Sequence, residues 1–177
     1  MSQLPSAGID QFRARMRGDV LLPADKGYDE VRQIWNAMFD RRPALIARCA
    51  SPEDVVQAVT FAREHNLLLS VRGGGHNIAG NAVCDDGLMI DLSLMKGVGV
   101  DPSGGRATVQ PGCTLGDFDA AAQAYGLATP LGINSTTGVA GLTLGGGFGW
   151  LSRKYGMTVD NLLAADVVTA DGGRIHA

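Results

Sequence analysis

Within seven residues, Val71-Arg72-Gly73-Gly74-Gly75-His76-Asn77 combines a fixed positive charge, three consecutive glycines and an imidazole. Glycine leaves the backbone N–H unshielded and allows positive φ, so such a loop suits close approach of a ligand to the main chain. Successive exposed N–H groups form an anion-binding concavity, and Arg72 adds a guanidinium beside it. His76 follows as a nucleophile or ligand. Taken alone, the stretch reads first as a glycine-rich turn with a surface arginine and a histidine satisfied by a carbonyl. A second cluster, Gly145-Gly146-Gly147-Phe148-Gly149-Trp150, repeats the device after another apolar stretch. Two such loops favour one extended ligand shared between them.

The segments around these loops have recognisable periods. Leu67-Leu68-Leu69-Ser70-Val71 reads as a short buried strand running into the first loop. Before it, Ser51-Pro52-Glu53-Asp54 is a strong helix start: Ser51 caps, Pro52 occupies the first turn, and the acids complement the positive helix end. That helix turns Val55, Val56, Val59, Phe61 and Ala62 inward and ends near His65, which suits a helix C-terminus and is given no site role. Ala44-Leu45-Ile46-Ala47 reads as a buried strand, and residues 9–17 as a short basic amphipathic helix. Residues 28–39 carry Val31, Ile34, Trp35, Met38 and Phe39 at helical spacing, which predicts a helix with Trp35 and Phe39 in the core. After the first loop, residues 88–92 form a strand, and residues 97–109 a hairpin closed by Asp101-Pro102-Ser103-Gly104-Gly105. Thr114 caps a helix over residues 115–125 with Leu115, Phe118, Ala122 and Tyr125 on one side and Gly126 closing it. Residues 130–149 hold no long regular element, but Thr136-Thr137-Gly138-Val139-Ala140-Gly141-Leu142 can start a helical turn whose free N–H groups suit a phosphate. Residues 161–169 read as a strand, Asp171-Gly172-Gly173 as a tight turn, and Arg174-Ile175-His176-Ala177 as the beginning of a return strand. An unfinished last strand suggests a piece of a longer protein.

Bulk properties remove several classes. The chain has 177 residues, 45% hydrophobic and 19% charged, enough for one domain or two small lobes sharing a cleft. Its 25 glycines are about double the usual ~7% share, without the short period of a collagen-like chain. A net charge of −3 without basic runs gives no nucleic-acid signal. The start Met1-Ser2-Gln3-Leu4-Pro5 lacks a leader pattern, and no apolar run reaches the ~18 residues of a membrane span. A cytoplasmic protein is the expectation. Cys49, Cys84 and Cys113 are odd in number and widely spaced, which supports neither a disulfide framework nor a zinc site and leaves reduced thiols.

Neither glycine cluster has the GxGxxG spacing of a Rossmann turn, and no GxxxxGK[ST] loop exists. The motifs that do exist run in a definite order. The first glycine loop is followed by Val109-Gln110-Pro111-Gly112, Gly138-Val139-Ala140-Gly141, the second cluster, Tyr155-Gly156, Asp160-Asn161 and Val168-Thr169-Ala170-Asp171-Gly172. In that order, from about Arg42 onward, the chain resembles the PCMH-type FAD-binding domain of the vanillyl-alcohol-oxidase superfamily, in its berberine-bridge-enzyme-like branch.

The resemblance implies an α+β, two-lobed domain over residues 42–177, incomplete at its C-terminus, with residues 1–41 as a lead-in. FAD lies extended between the lobes, and His76 matches the histidine joined covalently to the flavin 8α-methyl carbon. It implies cofactor contacts from Arg72, Gly73, Gly74, Gly75, His76, Asn77 and Gly80, then Gly112, Gly132, Asn134, Thr136, Gly138, Val139 and Gly141, then Gly145, Gly147, Gly149, Trp150 and Asn161. Trp150 and Tyr155 pack beside the cofactor, and Gln110 and Cys113 support the loop around Pro111-Gly112. Asp160-Asn161 either bonds the cofactor or caps the turn before the following strand. Asn134 stands where plant-type members carry a second flavin-linking cysteine, so the chain is similar to the singly linked, largely microbial branch. The implied reaction is hydride transfer from a small organic substrate to flavin N5, with reoxidation by dioxygen or another acceptor. No catalytic base is named, since the family supplies it from a substrate-binding domain. Two other classes remain: an FAD-binding module without turnover, and a structural α/β domain whose glycines only permit tight packing.

Overall fold

A computed structural model describes residues 5–177. In chain order the elements are α1 (Ser6–Arg15), β1 (Asp19–Leu21), α2 (Tyr28–Val31), β2 (Leu45–Arg48), α3 (Pro52–Glu64), β3 (Leu69–Arg72), β4 (Leu88–Asp91), β5 (Val98–Asp101), β6 (Arg106–Val109), α4 (Leu115–Gln123), α5 (Val139–Leu144), α6 (Ser152–Tyr155), β7 (Asp166–Val168) and β8 (Arg174–His176). A 3₁₀ turn, Val159–Asn161, lies between α6 and β7.

The first lobe is a four-stranded sheet in the order β1-β2-β4-β3. Strands β2, β4 and β3 run parallel and β1 pairs antiparallel to β2. The side-chain period of two divides the strands cleanly. Leu45, Ala47, Leu88 and Ile90 face a core built with Phe12 of α1 and Ala58, Val59, Phe61 and Ala62 of α3. Ile46 and Met89 face the other way, onto Tyr28 and Val83. Burial on both faces explains why β2 and β4 each open with three consecutive apolar residues. Helix α3 begins as its sequence demands, with Ser51 Oγ accepting from the Asp54 N–H and Pro52 in the first turn.

The second lobe is the β5-β6 hairpin with α4 and α5 against it. Leu115, Phe118, Ala122 and Leu131 form its core, with Val98, Val109, Val139 and Leu142 packed around them. Helix α4 carries a full capping box between Thr114 and Asp117.

Four expectations are corrected. Helix α2 ends at Val31, and residues 32–39 are irregular, because tertiary bonds take the groups a helix would use. The Trp35 N–H donates to Gly75 O (3.1 Å), and Asn36 Nδ2 donates to Ile78 O (2.9 Å). Val31 and Ile34 of that stripe pack on the Tyr28–Met89 core, but Trp35 is 64% exposed and Met38 89% exposed, so the expected core position of Trp35 is not met. Strand β3 is an edge strand whose Leu69 and Val71 are exposed, with only Ser70 buried. Tyr125 lies beyond the end of α4 and is exposed. The strand expected over residues 161–169 is confined to β7, Asn161 belonging to the 3₁₀ turn.

Candidate functional site

At the C-terminal ends of the three parallel strands, Arg48, Asp91 and Arg72 sit side by side in register. Asp91 is fully buried; its carboxylate accepts from Arg48 Nε and Arg72 Nη1, each at 3.3 Å, and from Ser93 Oγ at 2.8 Å. Arg72 also donates to Val31 O at 3.1 Å. The Arg72 guanidinium turns into the sheet's end, where Nη1 meets Asp91, and its Nε lies beside Gly75 of the glycine loop.

That arrangement launches the chain from β3 into residues 73–77 at the carboxyl edge of the sheet, where open α/β sheets bind ligands. A cavity of about 320 Å³ opens there, lined by Val71, Gly73, Gly74, Gly75, His76, Asn77, Asn81, Ala82, Thr137, Gly138, Gly141 and Leu142. The glycines are needed for closeness. A Cβ on Gly74 would collide with the backbone of Gly138, and one on Gly138 would collide with Gly74 in turn. The two lobes therefore meet backbone to backbone at the cavity floor. Gly75 has φ +72°, and its carbonyl is held by the Trp35 N–H. Among the described residues, the N–H groups of residues 73–77 donate to no protein acceptor. Those of Ala140 and Gly141, in the first turn of α5, likewise have none.

His76 lies on the wall of this cavity with its ring held on two sides. The Trp35 indole stacks on it, with centroids 4.6 Å apart and planes 14° from parallel. Its Nε2 is 3.0 Å from Thr136 Oγ1. The Thr136 hydroxyl donates to Asn134 Oδ1 at 2.8 Å, and the Thr136 N–H donates to the same oxygen at 3.0 Å. Burial pushes the imidazole below its ordinary value, so it is neutral at pH 7.

The structure thus brings together Gly73, Gly74, Gly75, His76, Asn77, Gly138 and Gly141, with Thr136 and Asn134 behind His76. Other residues singled out from sequence lie outside the cavity lining. A Cβ on Gly80 would enter the Phe39 ring, one on Gly112 would strike Leu92 O, and one on Gly149 would strike Leu131 O. Gly132 packs on Leu142 and Leu115, Gly147 on Thr158 and Leu142, and Gly145 near the backbone of Gly141. Val139 is partly buried against the second-lobe core, and Trp150 is 87% exposed. The Asn161 amide donates to Tyr155 O and Met157 O, while Asp160 Oδ2 accepts from the Met157 N–H, so both residues cap their own turn. Sequence reasoning missed Val71, Asn81, Ala82, Thr137 and Leu142 as lining residues, and Trp35 as the partner of His76. Of these, Val71 stood in the first glycine stretch and Thr137 and Leu142 in the Thr136–Leu142 stretch, while Asn81, Ala82 and Trp35 carried no site signal.

Residues 43–177 match the FAD binding domain family. (R)-6-Hydroxynicotine oxidase of Paenarthrobacter nicotinovorans is 42% identical over 161 residues, covering 91% of this chain and 35% of the relative. The solved structure of BBE-like 1 from Physcomitrella patens superposes with a TM-score of 0.90 at 28% identity, covering 96% of this chain and 37% of that one. Phl p 4, a grass pollen allergen with glucose dehydrogenase activity, gives 0.89 at 28% identity, covering 96% and 37%. The chain spans about a third of the length of these relatives.

The residues present fit the cofactor that this family holds. A glycine cradle closed to any Cβ at Gly74 and Gly138, with unpaired N–H groups along residues 73–77, can take a diphosphate without desolvating a side chain. No charged side chain lines the cavity, so its hydrogen-bond donors are those N–H groups and the neutral side chains of His76, Asn77, Asn81 and Thr137. In fold, motif order and cradle, this chain belongs to the FAD binding domain family, in its two-lobed PCMH-type form.

Proposed function

We propose that the chain is the FAD-binding part of a flavin-dependent oxidoreductase acting on a small organic substrate, and that His76 carries the flavin covalently. When bound, FAD supplies the two-electron acceptor for hydride from a substrate C–H bond, and dioxygen or another acceptor restores it. The chain's own residues hold and orient. Backbone N–H groups from Gly73 to Asn77 bind the diphosphate, and Gly74 and Gly138 let the two lobes meet backbone to backbone beneath it. His76 stands on the same wall as a neutral nucleophile. Asn134 places no thiol behind it, which favours a single histidyl link. The related nicotine oxidase and glucose dehydrogenase point to an amine, alcohol or sugar as substrate. A location in the cytoplasm is part of the same proposal.

The observation that carries this reading is the placement of His76: a neutral imidazole on the wall of a glycine-rich cavity that no charged side chain lines. Intact mass under denaturing conditions, with a visible spectrum, tests it on the wild type and His76→Ala. The wild type is expected to gain the mass of one FAD and the variant to lose that gain. A yellow native protein of bare mass would reject the covalent link while keeping the cofactor, and a colourless folded protein would reject both.

A further inference from the structure

The hydrogens around His76 can be counted. Asn134 Oδ1 receives two bonds, from the Thr136 N–H at 3.0 Å and the Thr136 hydroxyl at 2.8 Å. Because the backbone N–H can only donate, the atom facing it must be the amide oxygen, which fixes the orientation of the Asn134 side chain. A hydroxyl has one proton, and here Asn134 takes it. Thr136 Oγ1 can therefore only accept from the imidazole 3.0 Å away. His76 Nε2 must carry the proton, and Nδ1, which has no protein partner among the described residues, keeps its lone pair.

We infer that Thr136, oriented by Asn134, is a positioning residue that selects the Nε2–H tautomer of His76 and leaves Nδ1 as the reactive nitrogen. Trp35 covers one face of the same ring. The inference rests on the covalent reading above, since a reactive nitrogen matters only if His76 forms a bond. In that step the Nδ1 lone pair makes a bond to the 8α carbon of FAD as one C–H proton leaves to solvent. The two electrons released pass to the flavin ring and then to dioxygen, which leaves as hydrogen peroxide. Had Nε2 been the nucleophile, its lone pair would face the lone pairs of Thr136 Oγ1, an arrangement without a proton between them.

The tautomer can be read without flavin turnover. The full chain, produced with ¹⁵N-histidine in a flavin-starved host, gives long-range ¹H–¹⁵N imidazole correlations, assigned with His76→Ala. The wild type is expected to show one protonated Nε2 and one unprotonated, widely separated Nδ1 resonance above the imidazole pKa. Thr136→Val, which keeps the shape and removes the hydroxyl, is expected to bring the two resonances together through tautomer exchange. Thr136→Ser is expected to restore the separation. Asn134→Ala, which frees the hydroxyl proton, is expected to reduce it with the fold intact by circular dichroism. A protonated Nδ1 in the wild type would overturn the inference, as would unchanged resonances in a folded Thr136→Val protein. A correct tautomer in a chain that never gains FAD mass would instead reject the covalent reading and leave the tautomer assignment standing. Where FAD mass is gained, peptide mapping should place it on Nδ1, and a link through Nε2 would also overturn the inference.

Discussion

At the scale of single residues, the proposed attachment depends on one neutral imidazole, stacked on Trp35 and bonded to Thr136. Burial lowers the His76 pKa from its ordinary 6.5, so protonation is resisted in the folded state. The sign is that of a depressed pKa: the stability associated with this group is fully present above 6.5 and is lost as pH falls through the folded value. The same proton consumes the lone pair that the proposed attachment needs. The rate of FAD mass gain is therefore expected to be flat near neutrality and to fall about tenfold for each pH unit below the folded pKa. A rate that keeps climbing between pH 7 and pH 8 would place that pKa above its ordinary value and contradict the burial. Trp35 shows why some of this was hidden in the sequence. Its spacing with Val31, Ile34, Met38 and Phe39 satisfies a helical stripe, yet its N–H is taken by Gly75 O and its ring by His76. A stack between distant residues leaves no mark in local periodicity. His76, by contrast, was legible because it adjoins three glycines.

Among the elements, helix α4 sets the loop that carries Asn134 and Thr136. Its first two N–H groups, from Leu115 and Gly116, donate to Thr137 O at 2.8 Å and Ser135 O at 2.9 Å. Thr114 and Asp117 hold that helix end in place through reciprocal bonds. Thr114→Ala is expected to cost about 1 kcal/mol in urea unfolding, the usual loss for a cap. It should also weaken the tautomer bias of His76, which a cap remote from the site would not do. Gly74→Ala is expected to act through geometry: its Cβ would collide with Gly138, and neither backbone can give way cheaply. A loss of about 1–3 kcal/mol, as for overpacking in a core, should accompany loss of bound FAD. Unchanged stability in Gly74→Ala would mean that the lobes do not meet at the cradle. The capped helices α3 and α4 and the β5-β6 hairpin were legible because caps, turns and alternation are local signals. The placement of β4 between β2 and β3 was not, since strand order arises from pairing across the chain. The roles of Gly112 and Gly149 were likewise hidden: a glycine that admits a neighbouring carbonyl looks the same in sequence as one that admits a phosphate.

For the molecule as a whole, the sheet's carboxyl end joins stability to the site. Cys49, Cys84 and Cys113 are all buried, and burial pushes the Cys49 thiol up to about 12, so none should react with a thiol reagent until the chain unfolds. Their reaction then reports global opening, which gives a direct measure for Asp91. That carboxylate has no exposed surface, and it receives Arg48 from β2 and Arg72 from β3 while sitting on β4 between them. Asp91→Asn keeps the shape but leaves two guanidinium groups facing each other with no charge between them. A fully buried pair broken this way costs about 3–5 kcal/mol, and because both arginines are partly exposed, about 2–3 kcal/mol is expected here. Among the described residues Arg72 Nε is buried without a partner, which leaves its guanidinium only the bond to Val31 O when the carboxylate's charge is gone. Its release should loosen residues 73–77, which begin at its own carbonyl. Asp91→Asn is thus expected to speed thiol labelling and to weaken FAD retention together. Arg48→Met, on the strand away from the loop, should lower stability without the same loss of FAD. If both variants lose FAD equally, the cradle depends on the sheet only through global stability, and Arg72 has no special part in aiming the loop.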